Sequence, residues 1–193
     1  MKLFIASIAM TAVLTLLLGL AYPFAITGIA QLCFPHQANG SMIQVKGHDA
    51  GSMLIAQGFS DARHFHARPS AAGDGYDPMK SGGSNLGPTS KQLRDRVKHD
   101  IDSLRLLNPS LSTSIPIDMV TASGSGLDPD ITVANAMYQA PSVAKALSVD
   151  ANAIRALVEA HIHRRTLGFL GEETINVLEL NLAIDSLYPI ARK

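Results

Sequence analysis

Two histidine pairs and two glycine-serine runs are the residues in this chain whose types and spacing could do chemistry. His64 and His66 stand two apart, and in a strand such residues share a face, where both imidazoles could reach one metal ion. No cysteine or carboxylate is placed nearby in sequence to complete a ligand set, so hydrogen-bonded histidines are the competing reading. His161 and His163 would point about 200° apart on a helix and suit a metal less. Arg164 and Arg165 follow them, where a helix C-terminus would favour positive charge. Ser81-Gly82-Gly83-Ser84 and Ser123-Gly124-Ser125-Gly126 lack the lysine of a phosphate loop. They read as tight turns that need positive φ at glycine, or as an anion cradle where residues 84–89 lead into a helix. The G-x-S-x-G elbow of one hydrolase class does not occur. No nucleophile–base pair can be nominated, so the residues favour a non-catalytic accessory subunit or binding module. The alternative is a membrane-anchored extracytoplasmic hydrolase or binding protein.

These residues need elements to position them. Residues 3–45 contain no Asp, Glu, Lys or Arg, and residues 3–21 are almost wholly apolar. A helix of that composition, rising ~1.5 Å per residue, spans a bilayer core of ~30 Å. A cleaved signal peptide would have a shorter apolar core, and here the run resumes beyond Pro23. A lipoprotein site at Cys33 would lie too far past the apolar core. An uncleaved anchor over residues 1–35 is the expectation, with a soluble domain over residues 36–193. Lys2 precedes the helix and no charge follows until Lys46, so the positive-inside rule keeps the N-terminus in the cytoplasm and exports the domain.

Basic and acidic residues number 16 each, which leaves no basic stripe for nucleic acid, and Trp is absent. Strands are expected at 41–45, 52–56, 64–66 and 115–121. Residues 68–88 form a long loop rich in Gly, Ser, Asp and Pro. A helix is expected from Thr89, with Thr89 and Gln92 as a capping box and Leu93, Val97, Ile101 and Leu104 on one face. Asn108-Pro109 should end it. Further helices are expected at 131–138, with a restart at Pro141, at 150–163 and at 174–187. Helices and strands mix without βαβ alternation, which makes the domain α+β.

Several segments together carry a family resemblance. They are Phe34-Pro35-His36-Gln37-Ala38-Asn39-Gly40-Ser41, Phe65-His66-Ala67-Arg68-Pro69-Ser70, and Ser81-Gly82-Gly83-Ser84-Asn85-Leu86-Gly87-Pro88. Gly51-Ser52 through Gln57 follows the first of these, and Tyr76-Asp77 the second. Thr121-Ala122-Ser123-Gly124-Ser125-Gly126-Leu127-Asp128-Pro129 and the run from Leu167-Gly168-Phe169-Leu170-Gly171-Glu172 through Asn176-Val177-Leu178-Glu179-Leu180-Asn181-Leu182 complete the set. In this order they resemble the C subunit of the bacterial Kdp potassium-transporting P-type ATPase. The resemblance implies a place in the bacterial inner membrane beside three partners: a channel-like K⁺-selecting subunit, a P-type ATPase subunit and a small single-helix subunit. It implies the role of a catalytic chaperone that raises the ATPase subunit's affinity for ATP, with no resident metal. It also implies an ATP contact at Gln139, which follows the Leu-Asp-Pro motif. Ser142 and Leu147 depart from the family, which usually has arginines there, and His64 and Ala67 stand where Tyr and Gly are common. An exported domain cannot touch ATP in the cytoplasm, so the exported orientation makes the ATP effect indirect. The matching motifs concentrate in the loops at 68–88 and 122–129. Arg68, Ser81, Gly82, Gly83, Asn85 and Asp128 are therefore the expected docking residues. The planar fork of Arg68 suits it as the polar anchor. Alternatively, Arg68, Asp77 and Asp128 brace the loops internally.

Overall fold

A computed structural model describes residues 1–107 and 114–189. By its contacts the chain divides into two compact units, Met1–Ser52 and Met53–Lys193.

The first unit opens with one unbroken helix, Lys2–Cys33, which is long and apolar enough to cross a membrane. Within it, α1 (Lys2–Leu16) and α2 (Tyr22–Cys33) flank a π-turn at Leu17–Ala21. Pro23 explains the turn. Its missing N–H leaves the carbonyl four residues back without a donor, and a local shift to i→i+5 bonding accommodates the ring. The Tyr22 N–H accordingly bonds the Leu17 carbonyl, five residues earlier. A short α3 (Pro35–Ala38) follows. Then β1 (Met42–Val45) pairs antiparallel with β2 (His48–Ser52). Lys46 and Gly47, both at positive φ, close the two-residue turn between them. That tight closure starts the return strand at once, four residues earlier than the expected 52–56.

The second unit is built on two short strands that each feed a helix. β3 (Asp130–Thr132) pairs antiparallel with β4 (Thr174–Asn176), and the buried Ile131 and Ile175 face each other. Thr132 caps α5 (Val133–Leu147), and Asn176 caps α7 (Val177–Leu187). Each cap's side-chain oxygen accepts from the backbone N–H three residues on, at 3.1 Å from Asn135 and 3.2 Å from Glu179. Asp150 caps α6 (Ala151–Ala160) by accepting from the Asn152 N–H, two residues on, at 3.1 Å. Ile131, Val143, Ile154, Val158, Ile175, Leu180 and Ile184 enclose Phe65 in one core. α4 (Lys91–Leu107) begins after Ser90, whose hydroxyl accepts from the Leu93 N–H.

Several expectations are corrected. Ser90, not Thr89, supplies the cap of α4, and the expected stop at Asn108-Pro109 lies outside the described residues. The apolar face of α4 is only half-buried. The expected strand at 115–121 contains a 3₁₀ turn, Ile117–Met119. The helices expected at 131 and 174 each start two or three residues later, because three-residue strands precede them. Such strands are too short to show a period of two. Pro141 lies inside α5 and does not restart it. α6 ends at Ala160, so Arg164 and Arg165 lie beyond it and cannot complement its dipole. Leu187 is exposed.

The expected strand at 64–66 belongs to no sheet. Its backbone groups pair instead with side-chain amides. Asn181 accepts from the Phe65 N–H at 2.8 Å and donates to the Phe65 carbonyl at 2.9 Å. Gln139 does the same for His66, at 2.9 and 3.0 Å. Each amide thus supplies the donor and acceptor that a neighbouring strand would offer. Asn181→Ala should leave both polar groups of the buried Phe65 unpaired, a cost of about 3 kcal/mol. Thermal melting of the full chain in detergent should show a midpoint lower by roughly 9 °C, at ~3 °C per kcal/mol for a domain of this size.

Candidate functional site

The loops at 68–88 and 121–130 are joined along their length by side chains that bond the other loop's backbone. Ser70 starts the set: its hydroxyl donates to the Gly126 carbonyl at 2.6 Å and accepts the Ala72 and Tyr76 N–H groups. The Tyr76 hydroxyl donates back to the Arg68 carbonyl at 2.9 Å, and burial raises its pKa. Ser81 bonds the Ser125 carbonyl through its hydroxyl, and the Gly82 N–H bonds the same oxygen. Asp77 accepts from the Met79 N–H and caps the 3₁₀ turn Pro78–Lys80.

Glycine is required where the loops touch. A Cβ on Gly126, at φ +68°, would lie 2.7 Å from both the Ala72 nitrogen and the Gly82 oxygen. On Gly83 it would lie 3.2 Å from the Gly124 oxygen. The glycine-serine runs are therefore the facing surfaces of a loop-to-loop seam.

Arg68 lies in this seam. Its guanidinium donates to an Asp128 carboxylate oxygen at 3.0 Å and reaches the Thr121 carbonyl and hydroxyl at 3.4 Å. The other Asp128 oxygen accepts from the Asp130 N–H. Of the six expected docking residues, Arg68, Ser81, Gly82, Gly83 and Asp128 are thus brought together across the seam. Asn85, at φ +52°, stands apart from these bonds. Asp77 serves its own turn and a long ion pair with Lys80 at 3.6 Å.

Gln139 is in the wall of a cleft of about 510 Å³ that is also lined by His64, His66, Asn135, Leu104 and Met119. Its amide nitrogen donates to the His66 carbonyl and to the Asn135 side-chain oxygen at 2.7 Å. The Asn135 amide donates in turn to Asp118, whose same oxygen accepts the Thr132 N–H at 2.9 Å. A buried polar chain thus runs from Asp118 through Asn135 and Gln139 to the 65–66 backbone. Asn135, Asn181 and Asp118 were not singled out from the sequence. The available signal was an amide on an apolar helix face, at Asn135 and Gln139 in α5 and at Asn181 in α7.

The histidines are spread over separate partners. His64 Nε2 lies 2.9 Å from an Asp185 oxygen, and its ring stacks at a tilt on Phe59. His66 keeps one edge in solvent. Burial of the other side lowers its pKa, despite a bond to the Phe59 backbone that opposes the shift. His161 bonds the Leu157 carbonyl, and His163 lies 2.9 Å from Glu179. Burial raises the pKa of Asp130, against the hydrogen bond from Asn176 that opposes the shift. Among the described residues no group of three or more His, Cys, Asp or Glu is placed to hold a metal.

The chain thus carries one N-terminal helix long and apolar enough to cross a membrane, and an α+β unit with a braced loop pair. The comparisons with known proteins make the assignment specific. The family model for KdpC, the K⁺-transporting ATPase c chain, matches residues 4–186. A potassium-transporting ATPase KdpC subunit of Koribacter versatilis is 49% identical over 189 residues, covering 98% of this chain and 97% of its own. That of Caulobacter vibrioides is 53% identical over 176 residues, covering 91% and 88%. That of Mycobacterium bovis is 48% identical over 182 residues, covering 94% and 96%. The chain belongs to the KdpC family.

The seam gives a direct test of its own packing. Gly126→Ala forces a Cβ against two backbone atoms at a positive φ, a cost of about 2 kcal/mol or more. Its melting midpoint should fall by roughly 6 °C, whereas Gly87→Ala, which meets nothing within 4 Å, should leave it nearly unchanged.

Proposed function

We propose that this chain is a non-catalytic subunit of an ATP-driven potassium uptake complex in the bacterial inner membrane. Its partners are a channel-like K⁺-selecting subunit, a P-type ATPase subunit and a small single-helix subunit. The observation that carries this reading is the match to the KdpC family over residues 4–186, which takes in the apolar helix as well as the domain. The helix stays on the protein with its N-terminus in the cytoplasm, since Lys2 is the only side-chain charge before Lys46. The domain at 36–193 then lies on the outer face and caps the channel-like subunit. The loops at 68–88 and 122–129 form the docking platform. Arg68 and Asp128 hold its shape from within, and Ser81, Gly82, Gly83 and Asn85 contribute its edge.

The chain raises the ATPase subunit's affinity for ATP as a catalytic chaperone. It acts through the partner subunits and not through a nucleotide of its own. Gln139 supports this indirect route, because its amide is already committed to His66 and Asn135. A nucleotide contact at Gln139 would require giving up those buried bonds.

One preparation tests the reading. Tagged full-length chain, solubilised from membranes in mild detergent, should bring down a P-type ATPase and a K⁺-channel-like subunit. A reporter at its C-terminus that works only outside the cytoplasm should be active in the same cells. Recovery of the chain alone, or with cell-wall enzymes, would contradict the assignment. Activity of a cytoplasm-only reporter would contradict the orientation and restore a direct nucleotide role.

A further inference from the structure

The loop between α6 and β4 is a hydrogen-bonded hairpin with an apolar end. Its base is a bridge in which His163 and Thr174 exchange backbone bonds at 2.8 and 3.1 Å. His163 is also held by Glu179 of α7 at 2.9 Å. Further out, Thr166 and Leu170 exchange bonds at 2.9 Å in both directions, and the Gly168 N–H bonds the Arg165 carbonyl. At the tip, Leu167 is 79% exposed, Phe169 68% and Leu170 50%. Three large apolar side chains on one ordered turn gain nothing from the protein that carries them. Leu167 also sits at φ +55°, a left-handed conformation that a bulky residue rarely adopts, and such strain clusters at functional positions.

The charges beside the tip say what covers it. Arg164 and Arg165 precede it, and Glu172 and Glu173 follow it. All four are exposed, and none has a side-chain bond or ion pair among the described residues. The hairpin therefore presents both signs of charge around an apolar centre, with no net charge. An anionic lipid surface offers one sign only and would repel the glutamates as it attracts the arginines. A protein surface can match both, and an apolar centre with a polar rim is the usual anatomy of a protein interface.

We propose that this hairpin is a second docking element, whose tip inserts into an apolar pocket on a protein subunit of the complex, rimmed by charges of both signs. It rests on the subunit assignment above and adds an attachment point outside the loop seam. Leu167 and Phe169 are the anchors. The strained, pre-formed turn lowers the ordering cost of insertion.

The test places a benzophenone photocrosslinker at Phe169 in the full-length chain, expressed together with the rest of the complex and irradiated in membranes. The expected product is an adduct with a protein subunit that also co-purifies with the unsubstituted chain. A Phe169→Ser chain should lose at least tenfold in complex recovery while its melting midpoint stays within a degree or two. An adduct with lipid, an absence of adduct, or undiminished recovery of Phe169→Ser would overturn the proposal while leaving the subunit assignment standing. If the unsubstituted chain recovers no ATPase subunit, the assignment itself falls and the docking tip with it.

Discussion

Phe65 is fully buried at the centre of the core, yet no strand runs beside it to take its backbone hydrogen bonds. An orphaned N–H and carbonyl at that depth would cost on the order of 1–3 kcal/mol each. Asn181 from α7 and Gln139 from α5 remove that cost by bonding both backbone groups of Phe65 and of His66. The consequence reaches well beyond two residues. The 64–66 segment leads directly into Arg68 and Ser70, which hold the seam to residues 121–128. Removing the amides would leave the aromatic anchor and the start of the loop platform without a fixed position.

The same logic divides the molecule's polar residues into two kinds. Asp118, Asn135, Gln139 and Asn181 are spent inside, where each satisfies backbone or another buried amide. The low dielectric that strengthens these bonds also penalises any gap, and one gap remains, because the second Asp118 oxygen is buried without a hydrogen-bond partner among the described residues. Ser81, Gly124 and Ser125 of the loops lie at the surface, while Ser123 and Gly126 are buried in the seam that fixes their shape. A rigid scaffold carrying shaped loops is a common way to build recognition. This family membership makes recognition of other subunits the natural use for it.

Much of the architecture was legible in the sequence. The 32-residue helix Lys2–Cys33 is written in an uninterrupted lack of charge, and α4, α6 and α7 are written in apolar spacing. The resemblance motifs at 65–70, 81–88 and 121–129 form the seam, and among their glycines Gly83 and Gly126 mark real close approaches. What escaped was information carried by tertiary pairing. β3 and β4 are three residues each, so their identity depends on facing each other and not on any local pattern. Pro141 reads as a break, but it lies inside α5, where it costs one backbone donor and the helix continues. The 64–66 segment reads as a strand because its residues do need strand-like partners. No local rule says that those partners are Asn181 and Gln139, which lie far along the chain.

The central claim is that a domain pre-shaped by buried amides presents its loops to partner subunits. Amide hydrogen exchange, compared between the full-length chain alone in detergent and the assembled complex, tests it most directly. The account predicts that the Phe65 and His66 amides are already protected in the chain alone, to the level of global unfolding. It also predicts that the amides of residues 79–86 gain further protection in the complex. Fast exchange at Phe65 and His66 in the isolated chain, or unchanged exchange at 79–86 on assembly, would contradict it.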